Sequence, residues 1–234
     1  MALPAAEIAR LVDLAAPVLC LDTCSILDIM RDPNRDTMHA HHVSAGMGLL
    51  AAVESKTILV GLIATQVQLE LVEHVDHVQE EAKDAMARLG DRVKRIDAIA
   101  SALGAVGSTD LSHLDDHVVR ARAAVDRWVL AALNVPQSND TAGRALSRLN
   151  QAQAPAHKGK DSMKDCVVIE TYLEAIRDLR EDGLTAPVVF VSSNTKDYAE
   201  APGSRLRAEL ATEFAPLNIE YASTWDLAKH ILGV

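Results

Sequence analysis

Aromatic residues are scarce in this chain of 234 residues, at 3% of the sequence against 49% for all hydrophobic types. A core built on stacked rings is excluded, so Ala, Val, Leu and Ile must fill it, and with the long uninterrupted stretches this favours much helix. Basic charge is also in deficit, with 23 Lys and Arg against 33 Asp and Glu and a formal net charge of -10. Phosphate backbones are repelled by such a surface as a whole, so binding nucleic acid needs a local basic patch or bound cations. Cysteine is limited to Cys20, Cys24 and Cys166. One C-x3-C spacing with no second pair gives no basis for a zinc knuckle, and small buried thiols in a reducing compartment are expected. No apolar run reaches membrane-spanning length, and Met1 to Leu14 carries Glu7, Arg10 and Asp13 where a signal peptide would be apolar. The expectation is a soluble, cytoplasmic protein with no membrane partner. A glycine-rich phosphate loop, a Cys/His nucleophile arrangement and internal repeats are also missing.

What is present alternates between strand-like and helix-like segments. Residues Ala5 to Leu14 suit a short amphipathic helix before Pro17. Val18 to Leu21 is a continuous apolar run that ends on Asp22, the mark of a buried parallel strand. Ser25 to Met30 reads as a helix, broken by Asp32-Pro33-Asn34, and a helical run through Val43, Met47, Leu50 and Val53 follows. Lys56 to Ala64 is rich in β-formers and predicts a second strand, with Thr65 capping a helix from Gln66 to Leu89. Ala186 to Val191 predicts the third strand, Leu217 to Tyr221 a last one, and Leu206 to Phe214 and Thr224 to Leu232 helices. Strands separated by helices indicate a mostly parallel sheet covered on both sides.

Two features stand outside that frame. Residues 91 to 156 read as a helical insertion within a single domain spanning 1 to 234, with helices from Val93 to Leu103, Leu114 to Leu133 and Thr141 to Gln151, and a loop from Asn134 to Asp140. Its Arg120, Arg122, Arg127, Arg144 and Arg148, followed by Lys158 and Lys160, offer either a solvated helix face or a basic rim toward a substrate. His39, His41 and His42 form a His-x-His-His cluster that would decorate the first turn of a helix, as a solvated face, a phosphate or partner contact, or a metal site.

Four acids occupy equivalent places in the alternation. Asp22 follows the first strand, Glu70 lies in the second turn of the helix after the second, Asp165 opens a helix too apolar to be on the surface, and Asp197 follows the third strand. One parallel sheet brings such positions to its carboxyl edge, where chemistry collects in open α/β folds. Clustered carboxylates repel unless cations neutralise them, and hard oxygen donors suit Mg²⁺ or Mn²⁺. Asp161 is read first as the cap of the Asp165 helix and, from its i, i+4 spacing to Asp165, as an auxiliary ligand.

The order of four motifs, Leu21-Asp22-Thr23-Cys24-Ser25, Ala64-Thr65-Gln66-Val67-Gln68-Leu69-Glu70-Leu71, Lys164-Asp165-Cys166-Val167-Val168-Ile169-Glu170 and Phe190-Val191-Ser192-Ser193-Asn194-Thr195-Lys196-Asp197-Tyr198, resembles the PIN-domain nucleases. That resemblance implies a three-layer α/β/α sandwich and a metal-dependent endoribonuclease acting on RNA. It implies that Asp22, Glu70, Asp165 and Asp197 are catalytic and hold Mg²⁺ or Mn²⁺, with either Asn194 or Asp197 in the fourth place. Thr23, Ser193, Asn194, Lys158 and Lys160 are then substrate-binding. A homo-oligomer or an antitoxin-like partner is left open, although the added length of 91 to 156 argues against a simple toxin. The competing readings are a non-catalytic binding module on the same fold, using its helical surface, and a structure-specific DNA nuclease or a metal-dependent phosphatase.

Overall fold

The computed structural model describes residues 3–157, 162–200 and 203–234. The first half holds α1 (Ala5–Leu14), β1 (Val18–Leu21), α2 (Thr23–Asp28), α3 (Ala40–Glu54), β2 (Val60–Ala64), α4 (Thr65–Ala102) and α5 (His117–Ala131). The second holds β3 (Leu133–Val135), α6 (Thr141–Asn150), α7 (Met163–Glu181), β4 (Val188–Val191), α8 (Thr195–Tyr198), α9 (Ala208–Phe214), β5 (Ile219–Ala222) and α10 (Trp225–Leu232). The strands form one sheet in the order β3-β2-β1-β4-β5, and every pairing is parallel. Every residue of β1, β2 and β4 is buried, which is why these strands read as unbroken apolar runs rather than alternating ones.

Helices flank this sheet as the outer layers of an α/β/α sandwich. One group joins α3, α5 and α10, where Trp128 stacks on Trp225 with ring centroids 5.0 Å apart. Gly46 lets α3 approach that pair, since a Cβ there would stand 3.2 Å from the Trp225 ring. A second group centres on α7, which packs against α1, α4 and α6 and buries most of its length. Among the described residues no helix is long and apolar enough to cross a membrane. Cys20 and Cys166 are buried, Cys24 is half-buried, and all three are free thiols.

The element boundaries expected from sequence are corrected in four places. The strand expected from Lys56 begins only at Val60, because Lys56 takes a left-handed φ of 59° and the Ser55 hydroxyl accepts the amides of Thr57 and Ile58 in a turn. Helix α4 does not stop at Leu89 but runs 38 residues, about 57 Å at 1.5 Å per residue. An interior glycine such as Gly90 costs a helix only about 1 kcal/mol, too little to end one this long. The segment 91 to 156, expected to hold only helices and loops, contributes the edge strand β3, whose residues pair with Leu62–Ala64. Only Val135 of β3 is buried, so no apolar run advertises it. Finally, Thr65 is the first residue of α4 rather than its cap, and its hydroxyl donates to Asn134 Oδ1 at 3.0 Å, tying the helix to β3.

Candidate active site

The parallel register decides which residues can meet. Leu21 is level with Ile63 on one side and Val191 on the other, so Asp22, Ala64 and Ser192 leave the sheet together. The strands after β1 are added on one side and β4 and β5 on the other, which makes the β1/β4 edge the crevice where open α/β sheets bind ligands. Asp22 lies in that crevice, 4% exposed, and the Ser192 hydroxyl donates to its Oδ2 at 2.7 Å. The same Ser192 oxygen accepts the Asn194 amide at 3.1 Å, which folds the β4 exit over Asp22.

Glu70 reaches the edge from the second turn of α4. Its Oε2 accepts from the Thr23 hydroxyl at 2.8 Å, and its Oε1 from Gln66 Nε2, one turn earlier, at 3.1 Å. Asp165 reaches it from the first turn of α7, whose cap position is Ser162, and the helix dipole there favours a carboxylate. Tyr172, seven residues on and therefore on the same helix face, anchors α7 to the strand ends. Its hydroxyl donates to Leu21 O at 2.5 Å and accepts the Ala64 amide at 3.0 Å. Asp165 Oδ1 lies 3.5 Å from the Tyr198 hydroxyl.

These three acids act on one another. Burial pushes the Asp22 carboxyl up to about 7; the Ser192 hydroxyl opposes that shift, and the charges of Asp165 and Glu70 add to it. Tyr198, fully buried, is held well above the ordinary phenol range by burial first and then by Asp22, Asp165, Cys24 and Glu70. Asp197 stands to one side. It is 3% exposed, its Oδ2 accepts from Asn194 Nδ2 at 2.6 Å, and its Oδ1 lies 3.6 Å from His157 Nε2.

The donors fit a hard divalent cation in kind, since all are carboxylate oxygens. Among the described residues neither Asp22 nor Glu70 pairs with Lys or Arg; their partners are hydroxyls and an amide. In spacing they form no closed cage: among the described residues, no three of these four acids offer oxygens all within 4.8 Å of one another. Mg²⁺ typically takes one or two protein carboxylates and keeps water and phosphate for the remainder, which such an open set suits.

Beside the acids opens a cavity of about 600 Å³. Ser25, Ser193 and Asn194 line it together with Lys196 and with Arg31 and Arg35, both of which stand 3.4 Å from Asp28 in the same lining. Ser193 and Asn194 thus stand at the surface of this cavity. Thr23 is 4% exposed, and its hydroxyl donates to Glu70. Lys158, Lys160 and Asp161 lie outside the described residues.

The five arginines singled out in the 91 to 156 segment each have a partner within the protein. Arg148 is 3% exposed and binds Glu170 and Glu213, while Arg144 pairs with Glu170 and Glu174. Arg122 pairs with Asp76 and Asp126, Arg127 with Glu54, and Arg120 donates to the His113 carbonyl. Sequence reasoning missed Ser192, Tyr172 and Tyr198 in the site. A hydroxyl at the end of a buried strand, next to an acid at the end of its neighbour, was the signal available for Ser192.

A family model described as PIN domain matches residues 19–198, which takes in all four acids and every strand but β5. The chain belongs to the PIN-domain family. Proteins of this family are generally nucleases that bind nucleic acid and typically use divalent metals. Neither the curated proteins nor the solved structures give a match to this chain.

Proposed function

We propose that the chain is a Mg²⁺- or Mn²⁺-dependent endoribonuclease. The observation that supports this reading is the meeting of Asp22, Glu70 and Asp165 at the carboxyl edge of the sheet, with hydroxyl and amide partners for Asp22 and Glu70. A bound divalent ion supplies Lewis-acid activation of water and charge neutralisation on the scissile phosphate. Asp22 and Asp165 hold it, and Ser192 fixes the Asp22 rotamer. Thr23 and Gln66 hold Glu70, which orients the attacking water. Asn194 fills the fourth place, with Asp197 as the residue that positions it through the 2.6 Å hydrogen bond. Lys196, with Arg31 and Arg35 sharing the single carboxylate Asp28, leaves the neighbouring cavity net positive toward the RNA backbone, which answers the overall negative charge of the chain.

The test is incubation of the full chain with Mn²⁺ and a panel of single-stranded and structured RNAs, flap DNA and small phosphate esters, beside Asp22→Asn. RNA cleavage by the wild type that Asp22→Asn loses is the expected result. RNA left equally intact by both proteins ends the ribonuclease reading. Cleavage confined to flap DNA or to the small esters replaces it with the corresponding activity.

A further inference from the structure

The three imidazoles that open α3 stand together. His41 and His42 have ring centroids 4.2 Å apart, and His39 lies 5.4 Å from the first and 5.2 Å from the second. The first turn of α10 brings a carboxylate to the same place, with Asp226 Oδ1 3.1 Å from His42 Nε2. One donor atom from each of His41, His42 and Asp226 lies within 4.8 Å of the others. The residues are far apart in sequence and meet because α3 packs on α10 across Gly46 and Trp225.

Two features separate this group from a casual surface ion pair. Asp226 Oδ1 is itself shielded from solvent although the side chain is 44% exposed, and its 3.1 Å contact with His42 Nε2 lacks hydrogen-bond geometry. A cation held by both residues would satisfy that oxygen. The spacing also has the right scale, because two ligands on a tetrahedral ion with bonds of about 2.0–2.1 Å stand about 3.3 Å apart. Two imidazoles with one carboxylate are the donor set of zinc-class ions; Mg²⁺ prefers oxygen alone.

We propose that His41, His42 and Asp226 form a transition-metal site of the zinc class, separate from the acid cluster, with water in the fourth position. Its ion joins the start of α3 to the first turn of α10. His39, His42, Thr224 and Trp225 line the cavity beside the acids, so the ion stiffens a wall of that cavity.

Co²⁺ serves as the probe, titrated into the chelator-stripped full chain and followed by visible absorption, with the melting temperature measured in parallel under Zn²⁺. One equivalent giving tetrahedral Co²⁺ absorption is expected. His42→Ala and Asp226→Asn, both at partly exposed positions, should weaken it by at least about tenfold, since losing even an outer partner of a ligand costs 10–100-fold. Asp22→Asn should leave it unchanged. Zn²⁺ should raise the melting temperature of the wild type and not of Asp226→Asn. An identical titration in His42→Ala, a signal that only Asp22→Asn removes, or a thiolate charge-transfer band would each overturn the proposal.

Discussion

Helix α7 carries acids into two different surroundings. Asp165 in its first turn joins Asp22 and Glu70 at the sheet edge, where Ser192, Thr23 and Gln66 are the partners of those two acids. Further along, Glu170 and Glu174 meet Arg144 and Arg148 from α6, and Glu213 from α9 completes the network. Although burial works against it, the Ser138 hydroxyl and the Arg144 guanidinium hold the Glu174 carboxyl down to about 2. At Asp22 burial has no guanidinium to oppose it, and the carboxyl rises to about 7. Similar side chains on one scaffold are thus shifted in opposite directions, which is the difference between charge already matched inside the protein and charge left for a ligand to match.

Four measurements test that contrast, from the largest effect down. Arg148→Met should lower the unfolding free energy by about 3–5 kcal/mol, because removing one partner of a buried network strands the others. Urea unfolding reads this, and Mn²⁺ affinity should barely move. A loss under about 1 kcal/mol would mean that the arginine network is as dispensable as a surface pair.

The second concerns pH in chelator. With its pKa raised, Asp22 keeps in the folded chain a proton that the unfolded chain releases near 3.8. The contribution of Asp22 to stability is therefore full below that value and is lost as pH rises through about 7. The shift is worth about 4 kcal/mol at about 1.4 kcal/mol per unit. Asp22→Asn should flatten that slope between pH 4 and 7 and stabilise the ion-free protein at pH 8. An unchanged slope would place the Asp22 carboxyl in ordinary surroundings.

Third, Asp165→Asn should cut Mn²⁺-dependent cleavage at least about 100-fold, roughly 3 kcal/mol, while the melting temperature stays close to wild type. Glu170→Gln should do the reverse, losing stability and keeping turnover relative to folded protein. If the two variants behave alike, the two acid sets share a role. The smallest effect is that of Ser192→Ala, which should weaken Mn²⁺ binding by about tenfold by freeing the Asp22 rotamer. Isothermal titration at fixed pH measures it, and unchanged affinity would reduce Ser192 to a strand-end contact.

Much of the frame was readable in the chain. Val18–Leu21 and Val188–Val191 are fully buried strands, and a strand buried on both faces announces itself as an apolar run. The order of Asp22, Glu70, Asp165 and Asp197 along alternating strands and helices pointed to the family that the match over residues 19–198 establishes. What escaped was short or non-local. The edge strand β3 has three residues and one buried side chain, too few for any period. The arginines of α6 read as surface charge because a helix bearing Arg every fourth residue has that pattern whether it faces water or Glu170 and Glu174.

Composition and periodicity are local properties, and they determined that this chain forms a parallel α/β sheet with an acid at the exit of one strand and others near the helix starts. Which acid meets which depends on strand register, on Tyr172 pinning α7 to Leu21, and on α3 lying against α10, all of them contacts between distant segments. Tertiary packing alone therefore drew Asp22, Glu70 and Asp165 into one field and set Asp226 beside His42. The free energy of a carboxylate is fixed by the charges and dipoles within a few ångströms of it, and those neighbours come from elsewhere in the chain.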